Sequence, residues 1–370
     1  MRVKAWTTIL VSFGAALLLA SCGSGVDAGT DGEPEAAEST ATTEAPDSEL
    51  SGSMAFANFG GTTAENVNSI FLVPFSEETG VEVVNDTVDL GLVYTMVENG
   101  NVTWDLVQSD GYYAIQACED GIFEPLSDEV IAAIEEAGLP ESAYGECHIE
   151  PWAYSFVLGY NPEMIEETPD WADFFDPAIP GGRSMLSFSH LAQLEAALLA
   201  TGVAPDQIYP IDLDTAISEI EKIGDNLVFT ESLTDQIVHI ISGRASMGVV
   251  TSSRAFEAVE AGENITFNWD DSLVIGDTYS VMKGAPNADA AMAVLVDLVE
   301  ETDRLVDFAQ ATTYGPTGTV AQEALAERLP DCTDITTCES YLETAVVVSD
   351  EWWTENVEEV TDRMRELVGA

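Results

Sequence analysis

From Met54 onward the chain alternates short apolar runs with stretches of helical spacing, and this alternation most constrains what it can fold into. Residues 54–59 form a first apolar run that breaks into Asn58-Phe-Gly-Gly61. Residues 63–79 then carry Val67, Ile70, Phe71 and Phe75 on one helical face and stop at Gly80, a glycine placed to cap a helix. Extended segments follow at 81–84, 105–107, 151–161, 184–187, 227–229, 245–250 and 273–282. Helical segments lie at 90–99, from Tyr112, and at 171–175, 191–201, 213–223, 233–242, 254–261, 288–299, 302–311 and 351–367. Strands alternating with helices through short connections predict an α/β protein with a mostly parallel sheet. No internal repeat is present. At roughly 100–200 residues per domain, 370 residues predict two lobes.

The N-terminus reads as an address. Arg2 and Lys4 precede an apolar stretch from Ala5 to Leu19, which ends in Leu19-Ala-Ser-Cys22. A basic start, a short hydrophobic stretch and small residues before the cut describe a secretory signal peptide, too short for a bilayer span of about 20 residues. The ending matches the bacterial lipobox, so residues 1–22 are expected to be a lipoprotein signal peptide with Cys22 as the lipidation site. Residues 23–52 are rich in Gly, Ala, Ser, Thr, Asp and Glu with no base or aromatic, and predict a disordered acidic linker. The expected location is the cell envelope, in the periplasm or on the outer face of the cytoplasmic membrane.

The chain carries 67 acidic against 11 basic residues, a formal net charge of −56. Removing Arg2 and Lys4 with the signal, and no acids, takes −56 to −58. A surface so negative repels phosphate backbones, which excludes nucleic acid as a partner. It fits either a protein adapted to saline surroundings or an ordinary acidic exported protein. Four cysteines remain beyond Cys22, and three pairings are open to them. The short loop Cys332-Thr-Asp-Ile-Thr-Thr-Cys338 favours that bridge, with Cys118–Cys147 as the second. No CxxC motif supports a metal site.

Several runs, taken in order, resemble a known family. They are Phe56-Ala-Asn-Phe59; Pro74-Phe-Ser-Glu-Glu-Thr-Gly-Val-Glu-Val83; Trp104-Asp-Leu-Val107 with Tyr112 and Tyr113; Leu158-Gly-Tyr-Asn161; Trp171-Ala-Asp-Phe-Phe-Asp-Pro177; Gly243-Arg-Ala-Ser-Met-Gly248; and Tyr314-Gly-Pro-Thr317. Across about residues 54–320 the chain resembles the extracellular solute-binding proteins of ABC importers, in particular the spermidine/putrescine-type branch. The resemblance implies a two-lobed, periplasmic-binding-protein-like α/β fold with a hinge and an interlobe ligand cleft. It places lobe 1 at 53–153 plus 277–312 and lobe 2 at 154–276 plus 313–370. It further implies a monomer without a cofactor that captures a small solute by hinge closure and delivers it to ABC-transporter permease subunits, with a polyamine-like diamine favoured.

By the same resemblance, the ligand-binding residues are Phe59, Asp110, Tyr112, Asp277 and Tyr314, joined by Trp152 and Tyr154 on the approach to the hinge. Thr251 and Ser252 precede a helix and can offer N–H groups to an anionic group. Each has a plainer reading: Phe59 as a core aromatic, Asp110-Gly111 as a turn or N-cap pair, and Thr251, Ser252 and Ser253 as caps. Tyr112 and Tyr113 are adjacent on a helix, so at most one faces a cleft. His190 reads as structural, and Trp352 and Trp353 as packing. The chain departs from the branch at Ser187-Phe-Ser-His190, where an acidic pair is missing, and at Thr251 and Ile275, which replace tryptophans. A smaller or less cationic solute, such as a betaine, an amino acid or a sugar, is therefore an alternative, and ferric ion another because of the tyrosine pair. An exported enzyme is the remote reading. Gly-x-Ser-x-Gly, Walker A and His-Glu-x-x-His motifs are all missing.

Overall fold

The computed structural model describes residues 50–187 and 192–369. The expected signal peptide, Cys22, most of the linker, and Phe188 to His190 lie outside the described residues. The first half of the chain runs β1 (Gly52–Asn58), α1 (Gly61–Val67), α2 (Val73–Thr79), β2 (Val81–Thr87), α3 (Leu90–Glu98), β3 (Leu106–Ser109), α4 (Gly111–Glu119), α5 (Asp128–Ala137) and β4 (His148–Tyr160). It continues through α6 (Trp171–Phe175), β5 (Arg183–Leu186), α7 (Gln193–Ala200), α8 (Leu213–Ile223), β6 (Leu227–Thr230), α9 (Leu233–Ile241), β7 (Met247–Thr251) and α10 (Ser252–Glu260). The last part comprises β8 (Thr266–Val281), α11 (Ala288–Glu300), α12 (Thr302–Thr312), β9 (Gly315–Pro316), α13 (Thr319–Arg328), α14 (Glu339–Leu342), β10 (Val346–Val347) and α15 (Asp350–Val368).

The strands form one path in the order β2-β1-β3-β8-β4-β7-β5-β6, with β10 beside β8 and β9 beside β4. Each end is a parallel wing: β1 pairs with β2 and β3, and β5 with β6 and β7. Two long antiparallel strands, β4 and β8, join the wings. Because they span the sheet, they feed two hydrophobic cores. Ile149, Trp152, Tyr279 and Val281 pack with Phe56, Phe71, Leu106 and Phe308 at the first wing. Phe156, Leu158, Leu273 and Ile275 pack with Phe174, Phe175, Met185 and Trp353 at the second. The fold is thus the expected two-lobed α/β arrangement.

Local differences from the sequence pattern have physical causes. The single helix expected at 63–79 is broken by a wide helical turn over Asn68–Leu72. Pro74 lies just beyond it, lacks an N–H for the preceding turn, and crowds that turn with its ring. β4 starts at His148 and passes through Pro151, where the register with β8 shifts between Ile149 and Trp152. A proline is tolerated in a sheet at such an irregularity. Helices α5, α13 and α14 and the short strands β9 and β10 were not read from the pattern. Both favoured disulfides are present: Cys118–Cys147 with Cα atoms 5.7 Å apart, and Cys332–Cys338 at 5.6 Å.

Candidate functional site

Two strands, one from each wing, end at the same cavity. β3 ends at Ser109 and leads through Asp110 into α4; β7 ends at Thr251 and leads directly into α10. Ligands in open α/β sheets collect beyond the carboxyl ends of strands, where helix N-termini present free N–H groups. The cavity, about 430 Å³, is lined from both cores. It contains Phe59, Asp110, Tyr112, Tyr154, Thr251, Asp277 and Tyr314, seven of the nine residues expected from the sequence. Chain segments some 200 residues apart are brought together there.

The other two stand behind the wall. Trp152 is fully buried, with ring centroids 4.4 Å from Phe308 and 5.4 Å from both Phe71 and Tyr279. Its Nε1 donates to Asp277 Oδ2 at 2.8 Å, so it acts on the cavity only through that carboxylate. Ser252 is buried, with its hydroxyl 3.0 Å from that of Thr313. Tyr112 and Tyr113 diverge as helix geometry demands. Tyr112 lines the cavity, while Tyr113 packs on Tyr94 and Phe123 and donates to the Leu90 carbonyl at 2.8 Å. The pair therefore does not converge on one ion, and no group of three or more His, Cys, Asp or Glu among the described residues is arranged to hold a metal.

The two aspartates of the cavity differ. Asp277 already accepts three hydrogen bonds, from Gln108 Nε2 at 2.7 Å, Trp152 Nε1 at 2.8 Å and the Tyr279 hydroxyl at 2.9 Å. Burial raises its pKa and these donors oppose the shift. The Asp110 carboxylate does not cap its own helix and takes no hydrogen bond from any described residue. Burial first, then the nearby Asp350 and Asp277, push its carboxyl up to about 7. The hydroxyls of Ser109 and Thr251 are buried in the wall and also lack a partner among the described residues. Buried polar groups are ordinarily satisfied, so the orphan hydroxyl on each wing leaves the wall with polar atoms free to take a partner.

The residue missed by sequence reading is Arg254. It lines the cavity from the first turn of α10, with Gly61 against its guanidinium, and donates to Thr234 Oγ1 at 3.3 Å. Lys222, Lys283, Arg304, Arg328, Arg363 and Arg365 all form ion pairs, and Arg183, though unpaired, is held by several carbonyls. Like Arg244 beside His239, Arg254 has no ion pair among the described residues. Its position carried a signal. A helix N-terminus repels cations, so a base there, in so acidic a chain, serves something other than the helix. Arg254 also opposes the upward pKa shift that burial and Asp277 impose on the Tyr314 hydroxyl, as do the adjacent Thr63 and Ser253. The cavity therefore holds both kinds of charge: Arg254 acts on Tyr314, Asp110 acts on Tyr112 and Tyr154, and the Tyr154 and Tyr314 rings stack with centroids 5.3 Å apart. Gln108 and Trp353 are among the other lining residues the sequence did not point to.

Comparison with known proteins places this geometry in a family. The bacterial extracellular solute-binding proteins match the chain over residues 71–332. A gamma-aminobutyric acid-binding protein of Pseudomonas aeruginosa is 26% identical over 324 residues, covering 84% of this chain and 89% of the relative. Among solved structures, the Atu4243-GABA receptor superposes with a TM-score of 0.74 at 30% identity, covering 84% of this chain and 96% of its own. An ABC transporter substrate-binding protein of Bradyrhizobium japonicum superposes with a TM-score of 0.78 at 25% identity, over 85% and 99% of the two chains. The chain thus belongs to the bacterial extracellular solute-binding protein family, and it is the solute-capturing component of an ABC transporter rather than an enzyme.

Proposed function

We propose that the cleft captures a small zwitterion of the ω-amino-acid type, such as γ-aminobutyric acid (GABA), for import. The observation that carries this reading is the pairing, within one cavity, of an arginine without an acid and a carboxylate without a donor among the described residues. Arg254, with Ser253 and the Thr251 hydroxyl at the N-terminus of α10, suits a carboxylate bound in a fork. Asp110 suits the ammonium group, and the faces of Phe59, Tyr112 and Tyr154 suit the methylenes and add cation–π attraction of about 0.5–2 kcal/mol. The GABA-binding relatives support the same chemistry. The polyamine preference implied by resemblance is the less favoured reading, because a polycation meets Arg254 uncompensated and finds Asp277 already saturated.

The rest of the biology is proposed with it. The lobes close around the solute about a hinge in β4 and β8, and a permease receives the closed form. We take lobe 1 as 53–153 plus 277–312 and lobe 2 as 154–276 plus 313–370. One refinement is that Tyr314 and Ala321 pack in the first core, which favours moving β9 and α13 with lobe 1. A lipid on Cys22 would tether a monomer to the outer face of the membrane.

Thermal-shift and calorimetric titration with GABA, longer ω-amino acids, betaine, putrescine, spermidine, sugars and ferric ion tests the reading. GABA or its homologues should raise the melting temperature, and N-acetylation or esterification of the ligand should abolish the shift. A response to putrescine or spermidine with none to ω-amino acids would sink it. The pH profile supplies a second check. Asp110, at about 7 in the empty cavity, must ionise to hold an ammonium, so binding releases a proton. Affinity is therefore expected to fall as pH drops below about 7, by up to tenfold per unit. In Asp110→Asn the profile should be flat and the affinity low throughout.

A further inference from the structure

Behind the cavity wall two carboxyl groups meet, with no base beside them among the described residues. Glu150 is buried on β4, and Asp350 opens α15. The structure makes room for both by omitting side chains: a β-carbon on Gly276 would overlap the Glu150 carboxyl, and one on Gly111 would overlap that of Asp350. Asp350 Oδ1 accepts the backbone N–H of Tyr112 at 3.1 Å, so α15 supplies the anion for the N-terminus of α4. Thr354 Oγ1 adds a bond to the Tyr112 carbonyl at 3.2 Å. On the other side, Glu150 Oε1 accepts from Thr278 Oγ1 at 3.2 Å. Helix α15 packs in the second core together with Tyr112, while Ala114 and Ala117 of α4 pack in a separate cluster with Trp104 and Phe123, so α4 is anchored on both sides of this contact.

We infer that Glu150 and Asp350 share one proton, and that this proton-bridged pair is the brace that seats α15 on α4 and holds Asp110 and Tyr112 at the cavity. Two carboxylates in contact and away from water cannot both ionise. Among the described residues, every charged group that acts on the pair is itself acidic: Asp277 on β8 and Glu351 on α15 face it, and Asp110 lies beside it ahead of α4. Tyr112 and Tyr154, also nearby, are held in their neutral form by burial. His148, two residues before Glu150, is pushed down to about 4 by burial and supplies no cation at neutral pH. Glu150 therefore keeps its proton well above the usual carboxylate range, with burial the main cause and Asp350 next, and it donates to Asp350, whose own carboxyl is also raised, chiefly by burial. The pair behaves as one unit, and loss of its last proton sets two negative charges against each other.

The sign of the pH effect follows from linkage. The folded pair holds a proton that an unfolded glutamate releases above about pH 4.3, so its contribution to stability is full below that pH and is lost progressively as pH rises. The test is thermal unfolding of the ligand-free full chain from about pH 5 to pH 9, in roughly 1 M salt so that surface charges are screened within about 3 Å. Wild type is compared with Glu150→Gln, which mimics the protonated form. Relative to the variant, wild type should lose melting temperature with rising pH, the gap widening by about 2 °C per pH unit. Exchange of the Tyr112 amide should become faster with pH in wild type beyond its intrinsic rate, and not in the variant. Parallel melting curves for the two proteins would overturn the inference. Should Glu150→Gln fail to fold, Asp350→Asn gives the same comparison, since its amide can accept from Tyr112 and donate to Glu150. No solute enters this measurement, so its outcome is independent of the proposed ligand.

Discussion

Replacing Arg254 with methionine is expected to weaken GABA binding by about a hundredfold or more while leaving the melting temperature of the free protein almost unchanged. The two halves of this expectation have separate causes. In the empty protein Arg254 makes no ion pair among the described residues and one hydrogen bond, at 3.3 Å, to Thr234. Methionine keeps much of the apolar stem, so little folding free energy is lost. In the complex, a carboxylate left in a closed cleft without its cation costs about 2–5 kcal/mol, and about 1.4 kcal/mol is a factor of ten. Calorimetric titration of the variant reads the first effect and a melting curve the second. Arg328→Met, which breaks exposed ion pairs to Asp303 and Asp307 elsewhere, serves as the control and should not alter affinity. Undiminished GABA affinity in Arg254→Met would remove the arginine from the site. The same variant also separates ligand classes, because removing a cation should improve binding of a diamine.

The largest effect on stability is expected at Trp152. Trp152→Ala should cost about 3–5 kcal/mol, the usual range for deleting a buried indole. Its ring packs against Phe71, Phe308 and Tyr279 where β4 meets β8 in the first core. Its Nε1–H is also one of three donors to Asp277. Trp152→Phe separates the contributions: it retains most of the packing, removes the donor, and should cost about 1–3 kcal/mol for the under-satisfied carboxylate. The loss in Trp152→Phe should grow as pH rises, since Asp277 with fewer donors holds its proton more strongly and must be ionised in a less favourable setting. Denaturant unfolding at two pH values measures both. A loss below about 1 kcal/mol for Trp152→Ala would show that the core collapses around the gap and that Trp152 is not the keystone of the β4–β8 junction.

These two residues also illustrate what could be read in advance. Elements whose periodicity is strong and whose ends carry caps were legible. Helix α8, Leu213–Ile223, follows Asp212, whose carboxylate accepts the Thr215 N–H, and α6, Trp171–Phe175, follows Asp170 in the same manner. The strand expected at 273–282 proved to begin at Thr266. Its first part mixes strand-favouring Thr266, Phe267 and Trp269 with Asn268, Asp270 and Asp271, which disfavour strands, so the pattern is ambiguous there and pairing with Leu158, Gly159 and Tyr160 of β4 settles it as extended. The two-residue strands β9 and β10 exist only because β4 and β8 offer them an edge.

The site divides along the same line. Local sequence determined that Asp110 and Thr251 would sit at strand ends before helices and that Tyr112 and Tyr113 would point apart, and it favoured the two short-range cysteine pairings without fixing them. It determined the acidity too, and with it the rarity of a base at the start of a helix. The tertiary structure alone decided that Asp277 would be saturated by Gln108, Trp152 and Tyr279, that Arg254 would be left without an acid, and that Asp350 would cap a helix 238 residues earlier in the chain. The reason is one of range. Propensity, capping and alternation act over a few residues, whereas the charge state and partners of a buried group depend on whichever distant segments the two cores bring against it.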